Sequence, residues 1–187
     1  MPAPAILVWD PLVRIVHWGV ACLVVIELFN EAGANPWHRY LGYAAGALVT
    51  ARLAWGVFGS PYARFSSMAR SAKRVVPYLT SAAARDEQRN YAGHNPLGAW
   101  MALALWAQIL LVVITGWMLH LDAFWGDETV QSVHAVAAYV LAACAILHVS
   151  GVLVTSAVHR INLVKSMITG YKPSPDLRAA GRSAKEN

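Results

Sequence analysis

The chain has 187 residues, of which 57% are hydrophobic and only 13% are charged, and its formal net charge is +5. Soluble domains carry roughly 25% charged residues, so this composition excludes an ordinary soluble domain and indicates an integral membrane protein. The positive charge follows the pattern of membrane topology described below, so we do not expect a nucleic-acid-binding protein.

Four apolar runs are each long enough to cross a membrane as a helix, since one span needs about 17 to 25 residues. We predict spans at about residues 12–29, 38–58, 97–119 and 132–158. The first run lacks a basic segment before it and a small-residue cleavage site after it, so we expect a retained span rather than a signal peptide. The predicted fold is all-α, an integral membrane four-helix bundle in residues 1–172, followed by a disordered tail at residues 173–187.

Lysine and arginine are concentrated in two of the segments outside the spans. The segment between spans two and three and the segment after span four contain Arg64, Arg70, Lys73, Arg74, Arg85, Arg89, Arg160, Lys165, Lys172, Arg178, Arg182 and Lys185. In the other two connections the only lysine or arginine is Arg39. Because basic residues favour the cytoplasmic side, we predict that both termini are cytoplasmic and that the protein lies in the bacterial cytoplasmic (inner) membrane.

The apolar stretch VHAVAAYVLAACAILH carries a histidine near each end. His134 and His148 are fourteen residues apart, which is about 21 Å along a helix. Over this interval a straight helix drifts by only about 40° from a two-heptad repeat, so both rings are expected on one side of span four. Ionisable residues within a span are costly to bury and commonly serve a function.

Two further histidines lie at matching depths in other spans. His17 is in the first turns of span one, on the predicted cytoplasmic side, and His38 begins span two at the opposite face. Depth therefore pairs His17 with His148 and His38 with His134. Two such pairs of axial ligands across a four-helix bundle would bind the iron of two b-type haems.

Four other residues are candidates for propionate or quinone contacts. Arg52 follows His38 at the same fourteen-residue interval, and its guanidinium could bind a haem propionate or extend to the membrane interface. His94 could contact a propionate or a quinone, or be a plain interfacial histidine. Arg14 and Arg39 are further candidates, and their distances from each iron would affect the haem potentials.

Four segments together cover nearly the whole chain from Trp9 to Lys172. They are VWDPLVRIVHW, WHRYLGYAAGALVTARLAWGVFGSPYARF, GHNPLGAWMALAL and HAVAAYVLAACAILHVSGVLVTSAVHRINLVKSMITGYK. These segments resemble the bacterial cytochrome b561 family, which includes the membrane cytochrome b subunits of nickel-iron hydrogenases and, more distantly, of formate dehydrogenases. The resemblance implies a four-span bundle with two non-covalent haems b, and electron transfer between a membrane quinone pool and a partner on the other side. The implied haem ligands are His17, His38, His134 and His148.

The predicted function is an electron-transfer subunit of a quinone-linked oxidoreductase rather than a stand-alone enzyme. Acidic residues outnumber Arg39 on the predicted periplasmic surface, which favours a positively charged partner such as a small cytochrome c or a redox enzyme subunit. These acidic residues are Glu31, Asp122, Asp127 and Glu128. The same surface disfavours a second activity of the family, superoxide oxidation with reduction of ubiquinone. A haem-free transporter or structural membrane protein, with histidines that relay protons or bind zinc, is the alternative outside redox chemistry.

Overall fold

The computed structural model describes residues 5–30, 36–80 and 93–174, and within these ranges the chain is mostly helical. The elements are β1 (Ala5–Leu7), α1 (Pro11–Phe29), α2 (Pro36–Phe58), α3 (Phe65–Ala72), α4 (Val75–Thr80), α5 (Pro96–Met118), a 3₁₀ turn (Asp122–Phe124), α6 (Glu128–His159), α7 (Leu163–Thr169) and β2 (Tyr171–Pro173). Glu31 and residues 175–187 of the predicted tail lie outside the described residues.

Four helices of the described chain, α1, α2, α5 and α6, are long and apolar enough to cross a membrane. They contain 19, 23, 23 and 32 residues. A 32-residue helix is about 48 Å long and exceeds a hydrocarbon core of about 30 Å. Large apolar side chains such as Ile15, Phe29 and Tyr139 are exposed on these helices, as expected where the surface faces lipid. The structure confirms the predicted all-α membrane bundle and a multi-pass membrane protein.

α1 and α5 each begin with a proline that follows a capping residue, an aspartate in one helix and an asparagine in the other. Asp10 Oδ1 accepts a hydrogen bond from the Val13 amide at 2.9 Å, and Asn95 Oδ1 accepts one from the Gly98 amide at 2.6 Å. In both helices a proline follows the capping residue at the first helical position, where its missing N–H has no helical partner to lose. Local sequence therefore determines where both spans begin.

The described chain divides into two compact units. The first comprises Met1–Arg14, Trp55–Trp100 and Ser150–Asn187. Its buried apolar core contains Val8, Trp9, Val13 and Ala63. Asp10 is a polar centre of this unit, because its Oδ2 also accepts hydrogen bonds from Trp55 Nε1 at 2.9 Å and Ser60 Oγ at 2.6 Å.

The first unit also contains the small sheet. β1 pairs antiparallel with β2, with Ile6 opposite Lys172. Gly170 ends α7 with a φ of 87°, and its carbonyl accepts hydrogen bonds from the Val8 and Trp9 amides at 2.9 and 3.1 Å. A Cβ at this position would lie 2.6 Å from the Trp9 carbonyl oxygen, so both the conformation and the space require glycine.

The second unit comprises Ile15–Ala54 and Met101–Val149, and it contains the greater part of the four long helices. Its buried apolar cluster is formed by Val49 of α2, Ile109 of α5 and Leu141 of α6. Leu141 lies midway along α6 between His134 and His148. All four predicted histidine ligands belong to this unit.

Candidate haem site

The rings of His17 on α1 and His148 on α6 lie close together in the second unit. Their centroids are 6.3 Å apart, and the ring planes are inclined at 59°. The His17 ring also meets the edge of the Trp18 ring, with centroids 5.2 Å apart. Within the described residues, His17 Nδ1 is buried and has no hydrogen-bond partner. The structure therefore brings together the first pair of histidines that depth had matched.

The rings of His38 on α2 and His134 on α6 form a second pair. Their centroids are 6.1 Å apart, and the planes are inclined at 82°. This pair is again the one selected by depth, and it also lies in the second unit.

The spacing within each pair suits two axial ligands of one metal ion. Two imidazoles bound through nitrogen at about 2.0 Å on opposite sides of a metal have ring centroids about 6 Å apart. Both observed separations, 6.3 and 6.1 Å, agree with this arrangement. Across the described residues, no group of three or more histidine, cysteine, aspartate or glutamate side chains could hold a metal ion. A haem requires only two protein ligands, because its porphyrin supplies the other four nitrogens.

Thr115 of α5 orients the His134 ring. Thr115 is 5% exposed, and its hydroxyl donates to the Leu111 carbonyl at 2.7 Å and lies 3.0 Å from His134 Nδ1. Where Nδ1 carries the ring proton and donates it to this hydroxyl, Nε2 keeps its lone pair for a metal. Gly116 provides the space for the ring, since a Cβ there would lie 3.1 Å from His134 Cε1.

Glu27 of α1 contacts the His38 ring. Its Oε2 lies against His38 Nδ1, and its Oε1 accepts a hydrogen bond from Asn30 Nδ2 at 3.4 Å. Neither Glu27 nor Thr115 was predicted from the sequence as part of the site. A carboxylate within an apolar span was a usable signal for Glu27, whereas a threonine in a span is too common to indicate a site.

Arg52 and Arg39 are in the second unit with the histidines. Arg52 is 4% exposed, and its Cζ lies 4.8 Å from the centroid of the Trp106 ring. Its guanidinium is thus buried against an aromatic ring, which sequence analysis did not foresee. Arg39 follows His38 in α2, and its guanidinium lies over the Tyr40 ring with Cζ 5.0 Å from the centroid.

Arg14 and His94 belong to the first unit and have contacts of their own there. Arg14 Nη1 donates to the Ile168 carbonyl at 2.6 Å. The His94 ring meets the edge of the Trp9 ring with centroids 4.8 Å apart, and its backbone carbonyl accepts a hydrogen bond from Ser71 Oγ at 2.7 Å. A propionate or quinone contact of either residue stays a prediction.

Comparison with known proteins identifies the family of this chain. The family model described as prokaryotic cytochrome b561 matches residues 8–170 of the chain. Neither the curated proteins nor the solved structures gave a significant match. The matched region contains all four long helices and both histidine pairs. The chain therefore belongs to the prokaryotic cytochrome b561 family and is a membrane b-type cytochrome that binds haem b and takes part in electron transfer.

Proposed function

We propose that the chain binds two haems b and carries electrons between the membrane quinone pool and a redox partner at the periplasmic surface. One haem would be bound by His17 and His148, and the other by His38 and His134. The observation that carries this proposal is the presence of two separate imidazole pairs with centroids 6.3 and 6.1 Å apart. Haem b, when bound, supplies a one-electron couple to each pair.

The protein's part is to hold the imidazoles and keep water away. The four ligands project from three helices, so the bundle fixes their positions. Thr115 lies 3.0 Å from Nδ1 of His134, and a proton held on Nδ1 by this contact would leave Nε2 available. Val49, Ile109 and Leu141 form an apolar cluster in the same unit, and such packing gives a dry, rigid medium around redox groups.

We also propose that both termini are cytoplasmic, because basic residues are concentrated in the segments that would then face the cytoplasm. The loop between α5 and α6 would face the periplasm. Asp122 and Glu128 are exposed there, whereas Asp127 accepts hydrogen bonds from the amides of Thr129 and Val130 at 2.8 and 3.0 Å and caps α6. The exposed carboxylates favour a partner with a basic docking face, such as a small cytochrome c or a redox enzyme subunit.

The proposal is tested first by optical spectroscopy of the purified full-length protein. A dithionite-reduced minus oxidised spectrum and a pyridine haemochrome assay should give two haems b per chain. Addition of a reduced quinone should reduce part of this haem. A single haem per chain would contradict the two-site arrangement, and a colourless protein would favour the haem-free transporter.

Alanine variants test the assignment of ligands. His38→Ala and His134→Ala should each lose the same haem, and the double variant should lose no more than either single one. His17→Ala should lose the other haem. His120→Ala is a matched control because this exposed histidine bonds only locally in the described chain, with Nδ1 2.9 Å from the Gly116 carbonyl. An unchanged haem content in all three single ligand variants would contradict the pairing.

A further inference from the structure

Glu27 is an acidic residue in the membrane-spanning helix α1. Its side chain is 18% exposed, and that of its neighbour His38 is 32% exposed. A carboxylate in a span is costly unless it is paired, so its position calls for a specific partner. The partner is the Nδ1 atom of His38.

This contact has a defined effect on a histidine that binds metal through Nε2. A carboxylate at Nδ1 holds the proton on that nitrogen, fixes the orientation of the ring and makes Nε2 a stronger donor to the metal. The negative charge also stabilises the more positive, oxidised state of the bound iron. With the proton on Nδ1 in both oxidation states, only one electron would be exchanged and no bond would form or break.

The other histidines have different surroundings. His134 meets the neutral hydroxyl of Thr115. Among the residues that the structure describes, no carboxylate forms an ion pair with His17 or His148. The two pairs therefore share the same ligand type but differ in charge at Nδ1.

We infer that Glu27 is a positioning residue that lowers the midpoint potential of the haem bound by His38 and His134. This inference rests on the proposed ligand pairs. Glu27 would act through the His38 ring rather than as a ligand of the iron.

The test is a potentiometric titration of the purified holoprotein and its Glu27→Gln variant, which keeps the size and an acceptor oxygen but removes the charge. We expect both haems to be retained and one midpoint to rise. The oxidised-to-reduced equilibrium of that haem should change by about tenfold, which is about 59 mV for a one-electron couple. The second midpoint should be unchanged.

A charge-matched control separates the contact from a general field effect. Glu128→Gln removes one negative charge from an exposed position in the first turn of α6, and neither midpoint should move as far as in Glu27→Gln. Glu27→Asp keeps the charge, so the midpoint of this haem should stay close to that of the unaltered protein. Unchanged midpoints in Glu27→Gln, or equal shifts in Glu27→Gln and Glu128→Gln, would overturn the inference.

The ligand variants keep this result distinct from the proposed function. The haem whose midpoint rises in Glu27→Gln should be the one lost in His38→Ala. If His38→Ala keeps two haems, the proposed ligand pairing fails, whatever Glu27 does. If Glu27→Gln loses haem, electron paramagnetic resonance of the unaltered protein decides. Two low-spin signals should then be resolved, and one of them should show the smaller g anisotropy of a histidine with imidazolate character. Two signals of neutral bis-imidazole type would refute the inference.

Discussion

Replacing Thr115 with valine would remove one hydroxyl group and keep almost the same side-chain shape. Thr115 is 5% exposed, and its hydroxyl lies 3.0 Å from His134 Nδ1. In the variant the His134 ring would lose this hydrogen bond at Nδ1. The Leu111 carbonyl would lose only an additional bond, because it remains part of the helix.

The size of the effect follows from the loss of that hydrogen bond. Loss of a contact behind a metal ligand commonly lowers affinity by about 10- to 100-fold. We therefore expect Thr115→Val to weaken binding of one haem by about tenfold or more. The other haem, bound by His17 and His148, should be retained as in the unaltered protein.

The rate of haem transfer to excess apomyoglobin, followed in the Soret band, measures this change. Thr50→Val is the control, because among the residues that the structure describes the Thr50 hydroxyl bonds only to the Gly46 carbonyl of its own helix, at 2.8 Å. We expect one fast and one slow phase in Thr115→Val and two slow phases in Thr50→Val. Equal transfer rates in the two variants would refute the argument that Thr115 orients His134.

Three further substitutions test other parts of the structure. Gly116→Ala would place a Cβ 3.1 Å from His134 Cε1, and the same transfer assay should show faster loss of one haem. Glu128→Lys should weaken binding of a basic cytochrome c several-fold at low salt, measured by surface plasmon resonance, whereas superoxide capture at that surface would become faster. Gly170→Ala should lower the thermal unfolding midpoint, because a positive φ of 87° and a Cβ 2.6 Å from the Trp9 carbonyl together cost about 1–3 kcal/mol; an unchanged midpoint would contradict this.

The spans could be predicted from the sequence because they depend on local properties. Length and apolar content identify a membrane helix, and the Asp10–Pro11 and Asn95–Pro96 pairs define two of the helix starts. The pairing of β1 with β2 could not be foreseen, since Ile6 and Lys172 are at opposite ends of the chain. Strands of three residues carry too little pattern to indicate such a partner.

The histidine pairs were foreseeable for a related reason. A fourteen-residue interval preserves the face of a helix, and the order of the spans gives each histidine a depth. The rotation of one helix against another could not be predicted in this way, because it depends on packing across the whole bundle. The contacts of Thr115 with His134 and of Arg52 with Trp106 depend on that rotation, so no spacing in the sequence indicated them.

All four long helices contribute to the surroundings of the second histidine pair. α2 and α6 supply His38 and His134, α1 supplies Glu27, and α5 supplies Thr115. α5 carries none of the four proposed ligands, yet its Thr115 contacts Nδ1 of His134 and would affect which nitrogen is free to bind the haem iron. Because both haems would have two histidine ligands, a difference in their potentials must come from contacts of this kind. The direction in which electrons move most readily through the protein would then depend on Glu27 and Thr115 as much as on the ligands themselves.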